Sequence, residues 1–406
     1  MTDKKQIERQ NIKAPYRDLV NPKQLQTFLD GNGSLANRDA VAEQFDYDWH
    51  ARKLRFDTHF IGHVLMQATA YESARDHQWA AQNDVLFVAN GAAVEISVSG
   101  LAQANKTRPI EPYFVMMQQV MTEVSQLPYR RLRELDKTTW HGITDLLKRT
   151  DIFDASILPL PPKLADWAPA QKAEQAALKL QLKIGGEQGE LKQIMLTQAS
   201  GNDNAYFDPL LGDLDAQTGM IFAFDGGYLD FDTYQQIVQS DNHFVTQLAD
   251  HITVTVVETL PRPDEPLDSG YTVLADELVY LGDDHETVYR RLRVQLTNGE
   301  EVVLLTSLLD LTADQICLLY RYRWTIEIVF RWLKQLLSLD HIMSHDPNGV
   351  LRQILTALIV WALLVIANQD TEKLSPKQLW RQLQADLHQA ILEFGVRIGL
   401  ALSTRP

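Results

Sequence analysis

Four polar side chains recur at helical spacing toward the C-terminal end of the sequence: Tyr320, Arg323, Glu327 and Lys334. At 100° per residue, all four fall within an arc of about 60° on one helix. Apolar residues of the same segment occupy a neighbouring arc, so the polar stripe borders a buried face. A carboxylate flanked by two cations and a phenol is suited to holding a metal ion beside a phosphodiester. The spacing therefore indicates a metal ligand at Glu327 and phosphate contacts at the other three positions.

A simpler interpretation exists for the same stripe. Arg323 and Glu327 are also an ordinary i,i+4 ion pair, worth about 0.3–0.5 kcal/mol on an exposed helix. Taken alone, such a stripe is more typical of a solvated helix edge than of an active site. Further carboxylates at the ends of strands would favour the metal-binding interpretation, and the sequence holds two.

These two carboxylates are Asp154 and Asp225. Asp154 lies inside an apolar run at residues 152–158, and Asp225 ends a second run that begins at residue 221. Aspartate is depleted in strands, and a charge in an apolar strand is costly unless it is paired or bound to metal. Asp225 precedes two glycines, so it also fits the role of a simple turn initiator. Asp154 has no such alternative, because the apolar run continues past it.

The apolar runs belong to a stretch of short elements that begins at residue 151. Strands are predicted at residues 152–158, 178–184, 191–197, 220–224 and 243–248. Helical segments near 206–214 and 233–238 indicate a mixed α/β sheet with helices packed on its faces. More β-rich sequence follows at 252–308, and then two helices at 313–337 and 350–368. The second of these helices is apolar nearly all round, which predicts that it is buried against the sheet.

Charge is unevenly distributed along the chain. The 406 residues carry a formal net charge of −15, which for the chain as a whole argues against a nucleic-acid partner. Residues 1–150, predicted to be mostly helical, hold 19 basic and 18 acidic residues, whereas the remainder holds 19 and 35. No lysine or arginine occurs from residue 193 to residue 261. Acidity is thus concentrated after residue 150, and a metal–carboxylate site accounts for only part of it.

Other features narrow the class of protein. The single cysteine, Cys317, excludes an internal disulfide bond and any multi-cysteine metal site. The N-terminus lacks the apolar region of a secretory signal. The longest apolar run is shorter than the ~20 residues that a membrane span needs. We therefore expect a cytoplasmic protein with no membrane partner.

A second i,i+4 pair, His59 and His63, lies in a predicted helix of the N-terminal region. Two histidines at this spacing suit zinc. No glutamate or third ligand follows in the HExxH pattern, however. The sequence therefore favours an ordinary pair of helix histidines over a metal site.

The spacing Tyr-x2-Arg-x3-Glu-x6-Lys of residues 320–334 resembles the motif of DDE transposases of the bacterial insertion-sequence-four type. Residues 153–156 (Phe-Asp-Ala-Ser) resemble the strand that carries the first aspartate of that family. Residues 224–228 (Phe-Asp-Gly-Gly-Tyr) resemble the segment of the second aspartate, and residues 242–246 (Asn-His-Phe-Val-Thr) resemble the next strand. The three blocks occur in the family's order, and the similarity runs from about residue 40 to residue 368.

The resemblance implies an α/β fold, namely a ribonuclease-H-like catalytic core with a mainly β insertion, preceded by a helical N-terminal domain. Residues 1–148 would form the helical DNA-binding region and residues 149–370 the catalytic domain, with the insertion at about 250–308. The insertion would separate the second aspartate from the glutamate. Residues 371–406 would form a helical C-terminal tail.

The resemblance also implies a two-metal-ion reaction. The metal ligands would be Asp154, Asp225 and Glu327, holding two Mg²⁺ ions for which Mn²⁺ can substitute. The contacts to the phosphates of the transposon end would be Tyr320, Arg323 and Lys334. Two ions ~3.5–4 Å apart can activate an attacking oxygen and stabilise the leaving oxygen of an in-line displacement. Without metal, three converging carboxylates repel one another, which raises their pKa values.

The implied function is that of a DNA transposase. It would cut at the terminal inverted repeats of an insertion sequence and join the 3′ ends to target DNA. Its partners would be double-stranded DNA, both inverted repeats and target, and a second copy of the chain in a synaptic homodimer. When bound to DNA it would be associated with the nucleoid.

The sequence departs from the family pattern at two positions. Gly226 follows the second aspartate, where the family usually has Lys or Arg, and Gln247 follows Phe-Val-Thr, where the family usually has a basic residue. Three alternatives therefore stay open. They are a DNA-binding protein with an inactive transposase core, a metal-dependent nuclease of the same fold without strand transfer, and a non-catalytic helical–β protein with an accidental motif match.

Overall fold

The computed structural model describes residues 38–367 with several gaps. The gaps are residues 70, 72, 85–86, 89–90, 126–142, 171–174, 188, 190, 250, 283, 332 and 335–341. The predicted tail at residues 371–406 and the first 37 residues of the N-terminal region lie outside the described residues.

The described N-terminal part is helical, as the sequence predicts. Its helices are α1 (Arg38–Gln44), α2 (Phe56–Thr69), α3 (Ala74–Asn83), α4 (Val98–Thr107), α5 (Glu111–Ser125) and α6 (Thr144–Lys148). Serine side chains begin two of them. Ser73 accepts a hydrogen bond from the Asp76 N–H at the start of α3, and Ser97 accepts one from the Gly100 N–H at the start of α4. Each bond satisfies an amide group that a helix N-terminus otherwise leaves without a partner.

One sheet of nine strands follows in the described residues. Its strands are β1 (Thr150–Leu160), β2 (Ala176–Gly185), β3 (Leu191–Gln198), β4 (Ile221–Ala223), β5 (His243–Gln247), β6 (Val254–Thr259), β7 (Thr272–Leu281), β8 (Tyr289–Gln295) and β9 (Glu301–Thr306). The spatial order is β3-β2-β1-β4-β5-β9-β8-β7-β6. β4 lies between β1 and β5 and is parallel to both, and the other neighbouring pairs are antiparallel. The predicted α/β class with a ribonuclease-H-like core is confirmed.

The last four strands extend this core sheet. β9 pairs antiparallel with β5, and β8, β7 and β6 follow outward. β7 and β8 carry charged residues that bind one another across the two strands. Arg290 donates two hydrogen bonds to Asp276 at 2.8 and 2.6 Å, and Arg291 forms an ion pair with Glu277 at 2.5 Å. The β-rich sequence after β5 therefore continues the core sheet rather than forming a separate one.

The helices that follow in the described residues are α7 (Phe207–Leu211), α8 (Phe231–Gln239), α9 (Ala313–Arg331) and α10 (Pro347–Ala367). α7 and α8 lie on one face of the sheet, and α9 lies on the other. On one face, Phe153 and Phe222 pack with α7 and α8 in a largely aromatic cluster. The opposite face carries Ile152, Ala223 and Val245, whose cluster also includes residues of α9, α10 and the N-terminal helices. Alternate residues of each strand thus enter two different cores.

The apolar helix α10 is buried, as its sequence predicts, but not mainly against the sheet. It packs chiefly against α5, α2 and α4 of the N-terminal region. An apolar surface on every side of a helix indicates burial without specifying the partner, so the expectation of packing against the sheet is corrected here. No membrane-spanning segment is found among the described helices.

Candidate active site

Asp154 and Asp225 lie side by side, just past the last pair of residues that joins β1 to β4. β1 pairs with β4, and extending this register two residues past the Ile152–Ala223 pair brings Asp154 level with Asp225. The pairing of β4 with β5, extended in the same way, brings Asp225 level with Gln247. Side chains at every second strand position point to the same face. The sheet therefore places the three residues in one row, on the face that α9 covers.

Helix α9 adds two charged side chains to this row. It packs across β1, β4 and β5, and its Arg323 binds two carboxylates. Nη1 of Arg323 donates to Oδ2 of Asp154 at 3.1 Å, and Nη2 donates to Oε1 of Glu327 at 2.8 Å. The predicted i,i+4 pair is present, but the Arg323 side chain is only 7% exposed. The alternative of a solvated helix edge therefore does not describe this part of the stripe.

The carboxyl group of Asp154 has a strongly perturbed pKa. Burial, followed by the nearby charge of Asp225, raises its pKa to about 7, and Glu327 contributes in the same direction. The Arg323 guanidinium and the Ala155 N–H, which donates to Oδ1 at 2.7 Å, both oppose this rise. The three predicted metal ligands therefore lie close enough for their charges to interact.

Two glycines allow the turn that holds Asp225. The Gly227 N–H donates to Oδ1 of Asp225 at 2.6 Å, and a Cβ on Gly227 would lie 2.8 Å from that same oxygen. A Cβ on Gly226 would lie 2.7 Å from the backbone carbonyl oxygen of Gln247. Gly226, where the family usually carries a basic residue, is thus required by the close approach of this turn to the end of β5.

Behind the turn, Tyr228 anchors it to β2, on the far side of β1. The Tyr228 hydroxyl donates to Oε1 of Gln181 on β2 at 2.8 Å, and the Tyr234 hydroxyl donates to the Tyr228 carbonyl at 2.8 Å. Gln181 in turn donates to Oδ1 of Asp203 at 3.1 Å. Gln181 and Tyr228 were not singled out from the sequence. The available signal was weak, because Gln181 lies between Lys179 and Lys183 at alternate positions of β2, a pattern typical of a solvated strand face. The structure buries all three, so each requires a hydrogen-bond partner.

Tyr320 and Lys334 are the remaining members of the stripe. The Tyr320 hydroxyl donates to Oε1 of Gln247 at 3.0 Å, and the Arg323 guanidinium lies 5.5 Å from the centre of the Tyr320 ring. Burial raises the pKa of Tyr320 to about 12, so its phenol is a neutral donor at pH 7. Lys334 lies beyond the end of α9, and partial burial lowers the pKa of its ammonium group.

The donor set of this site fits a hard divalent cation. Carboxylate oxygens are the ligands that Mg²⁺ and Mn²⁺ prefer, and Asp154, Asp225 and Glu327 supply them. Among the described residues, no group of three or more histidine, cysteine, aspartate or glutamate side chains is arranged to hold a metal ion. In this structure, the positive charge that lies between Asp154 and Glu327 is the guanidinium group of Arg323.

The predicted histidine pair lies in a different environment. Nε2 of His59 and Nε2 of His63 are 3.0 Å apart, and they lie 2.9 and 3.0 Å from Oδ1 of Asn105. The Tyr47 hydroxyl is 2.8 Å from Nδ1 of His59. Burial is the main cause that lowers the pKa of both histidines and of the adjacent His77, whose pKa falls to about 4. These side chains are therefore neutral at pH 7 and form a hydrogen-bonded packing cluster.

Comparisons with known proteins agree on one family. A model of the family described as "Transposase DDE domain" matches residues 147–363, which is more than half of the chain. The protein named "Putative transposase y4zB" from Sinorhizobium fredii (strain NBRC 101917 / NGR234) is 28% identical over 271 residues, covering 66% of this chain and 70% of that protein.

Two further similarities are more distant. The protein named "Probable transposase for insertion sequence element IS5377" from Geobacillus stearothermophilus is 24% identical over 225 residues, covering 55% of this chain and 57% of that protein. A cryo-EM structure of the piggyBac transposase synaptic complex with hairpin DNA has a TM-score of 0.42 and 11% identity, covering 84% of this chain and 72% of that chain.

Proposed function

The chain belongs to the family of DDE transposases, and on that basis we propose that it cuts DNA at the terminal inverted repeats of an insertion sequence and joins the 3′ ends to target DNA. The observation that supports this activity best is the row formed by Asp154 within β1 and Asp225 just past the end of β4, with Arg323 and Glu327 of α9 beside it. The partner is DNA, and the chemistry is phosphoryl transfer.

Asp154, Asp225 and Glu327 are the proposed metal ligands. Enzymes of this family generally use divalent metal ions, and here we propose two Mg²⁺, with Mn²⁺ as a substitute. When bound, such ions activate the attacking oxygen and stabilise the leaving oxygen of an in-line displacement. The chain contributes the position of each carboxylate. β1 fixes Asp154, the glycine turn fixes Asp225, and α9 fixes Glu327.

Tyr320, Arg323 and Lys334 are the proposed contacts to the phosphates of the transposon end. The raised pKa of Tyr320 keeps its hydroxyl protonated, so it can donate a hydrogen bond to a phosphate oxygen. Arg323 offers the two-pronged geometry that suits phosphate. With few basic residues available, the slope of log affinity against log salt concentration should be that of a few phosphates rather than ten.

The remaining parts of the chain receive proposed roles as well. Residues 1–148 are proposed to recognise the inverted repeat, because they are nearly neutral whereas the rest of the chain is strongly acidic. Removing residues 1–130 should abolish sequence-specific binding. Residues 149–370 are the proposed catalytic domain, with the insertion at about 250–308, and 371–406 the proposed tail. Cutting two ends together calls for a synaptic homodimer, associated with the nucleoid when bound to DNA.

The activity is tested by Mg²⁺-dependent nicking at the 3′ end of an inverted-repeat duplex. Asp154→Asn, Asp225→Asn and Glu327→Gln each remove an anionic ligand at nearly constant volume. All three variants should bind the duplex as wild type does, and none should nick it above background, because the attacking oxygen is no longer activated. Glu258→Gln, on the exposed strand β6, is the matched control and should nick at the wild-type rate.

Each alternative predicts a different result in the same assay. Nicking by Asp154→Asn at the wild-type rate would refute the ligand assignment. Nicking by wild type without joining of the 3′ end to target DNA would identify a nuclease. Specific binding with no nicking in Mg²⁺ or Mn²⁺ would identify an inactive core. Inverted repeats and a short target duplication around the gene would support a mobile element.

A further inference from the structure

Both terminal nitrogens of Arg323 bind carboxylates within the site. Its two terminal nitrogens donate to different acids, Nη1 to Asp154 at 3.1 Å and Nη2 to Glu327 at 2.8 Å. The exposed fractions of the three side chains are 7% for Arg323, 16% for Asp154 and 36% for Glu327. The guanidinium is therefore enclosed, while one of its two partners opens toward solvent.

The surroundings of Arg323 hold it in this position. Its guanidinium lies 5.5 Å from the ring centre of Tyr320, at a distance typical of a cation–π contact. Its Nε is buried and has no hydrogen-bond partner. In this position Arg323 neutralises part of the charge of Asp154 and Glu327, and its side chain is enclosed rather than exposed to a phosphate group outside the site.

A divalent cation would compete with Arg323 for the same oxygens. Oδ1 of Asp154 already accepts from the Ala155 N–H at 2.7 Å, and Oδ2 accepts from Arg323. On Glu327, Oε1 is likewise occupied by Arg323. A metal ion bound at Oδ2 of Asp154 and Oε1 of Glu327 would replace these hydrogen bonds. A metal ion bound at the other oxygens of the same acids would still lie close to the guanidinium, and two adjacent positive charges repel each other in a poorly solvated site.

We propose that Arg323 is an internal counter-cation of the site, which the metal ions displace from Asp154 and Glu327 and thereby make available to a DNA phosphate. The proposal depends on the proposed function, since it takes these acids as the metal ligands. It assigns Arg323 two successive partners. Without metal, the guanidinium keeps the acids together. With metal, it becomes a cation directed at the substrate, so metal binding and DNA binding favour each other.

The first test measures Mn²⁺ binding to the free full-length protein by electron paramagnetic resonance of unbound Mn²⁺. Arg323→Gln removes the competing charge, so its affinity for Mn²⁺ should rise about tenfold, in line with the effect of one nearby charge on a carboxylate. Arg323→Lys keeps a positive charge and should remain close to wild type. Arg331→Gln removes an exposed arginine of the same helix and should change nothing. Unchanged or weaker Mn²⁺ binding by Arg323→Gln would overturn the proposal.

The same titration separates this proposal from the proposed function. Asp154→Asn should bind Mn²⁺ more weakly than wild type. If it binds Mn²⁺ as tightly as wild type, Asp154 is not a metal ligand and the proposed catalytic site is wrong. This conclusion does not depend on the Mn²⁺ affinity of Arg323→Gln. If Asp154→Asn loses Mn²⁺ while Arg323→Gln fails to gain affinity, only the counter-cation proposal fails.

A second measurement uses the wild-type protein, in case Arg323→Gln does not fold. Phenylglyoxal modifies accessible guanidinium groups, and peptide mass spectrometry reports the extent at each arginine. Arg323 should react slowly without metal and several-fold faster in saturating Mg²⁺, because displacement exposes a group that is otherwise enclosed. Arg331 serves as the internal reference and should react equally in both conditions. An Arg323 reactivity that Mg²⁺ leaves unchanged would overturn the displacement.

Discussion

Two i,i+4 pairs of this chain have the same spacing but different environments. His59 and His63 lie on α2, and Arg323 and Glu327 lie on α9. Each pair has a buried arginine within reach, Arg352 for the histidines and Arg323 itself for the acid. Both arginines also have a buried Nε without a hydrogen-bond partner. Spacing on a helix therefore does not distinguish the two regions.

The two regions differ in the groups that their arginines bind. Arg352 of α10 is fully buried and donates to the backbone carbonyls of Asn105, Arg108 and Pro109, at the end of α4. A cation is favourable at the C-terminus of a helix because it satisfies free carbonyls and opposes the helix dipole. Arg323 instead binds two carboxylates. The histidines are thus neutral and enclosed beside an arginine that backbone carbonyls hold, whereas the carboxylates around Arg323 are charged and partly open to solvent. The first arrangement suits packing, and the second suits chemistry.

The largest effect should come from Arg352→Ala. Removing this side chain leaves a cavity and three carbonyls without donors, so the free energy of unfolding should fall by about 3–5 kcal/mol. Urea unfolding of the full chain measures the change. Arg331→Ala, at an exposed position of α9, should stay within about 0.5 kcal/mol of wild type. If Arg352→Ala lowers the free energy of unfolding by less than about 1 kcal/mol, Arg352 does not anchor α10 to the N-terminal helices.

The next effect is a pH dependence of opposite sign in the two regions. His77 has a pKa of about 4 when folded, below its ordinary value, so its contribution to stability is present at pH 7 and is lost as the pH falls. Asp154 has a folded pKa of about 7, above its ordinary value, so its contribution is present at low pH and is lost as the pH rises toward 7. From pH 7 to pH 5, His77 alone should cost about 2 kcal/mol.

Metal-free Asp154→Asn isolates the histidine region. In EDTA, this variant should lose more unfolding free energy between pH 7 and pH 5 than wild type does, because the opposing contribution of Asp154 is absent. His77→Gln should lose less than wild type. Urea unfolding at the two pH values measures both changes. An equal change in unfolding free energy between pH 7 and pH 5 for all three proteins would show that His77 and Asp154 do not titrate as their environments indicate.

A smaller effect should follow from Tyr228→Phe. The substitution deletes one buried hydrogen bond to Gln181, so stability should fall by about 1 kcal/mol. Because the turn that holds Asp225 loses its anchor, the nicking rate should fall about tenfold while DNA affinity is unchanged. Tyr280→Phe on β7 is the matched control. A loss of stability without a change in the nicking rate would show that Tyr228 serves the core and not the site.

The residues of the candidate site could be proposed from the sequence because each one either interrupts a local pattern or repeats at a regular spacing. Asp154 interrupts an apolar strand, and Glu327 recurs at helical spacing with Tyr320 and Lys334. The periodicity of a sequence indicates which way a side chain points but not how deeply it is buried. The burial of Arg323 and its bond to Asp154 could therefore not be predicted, since they depend on how closely α9 packs on β1.

The fold was predictable to a similar extent. The core strands follow from apolar runs, but β7 and β8 contain Asp276, Glu277, Arg290 and Arg291, which obscure the strand pattern. These charges are compatible with strands only because they pair with one another. The partners of α10 and the anchoring of Tyr228 by Gln181 are also contacts between distant parts of the chain, and no local pattern encodes them.

The close approach of Gly226 to β5 also limits how this chain can evolve. Any side chain at position 226 meets the Gln247 carbonyl, which belongs to the backbone and so persists whatever residue occupies position 247. A lysine or arginine beside Asp225 therefore requires the turn or the end of β5 to shift. Placing a basic residue at position 226 thus requires a substitution and a change of backbone together. Selection for tighter DNA binding is thus directed to positions elsewhere in the chain.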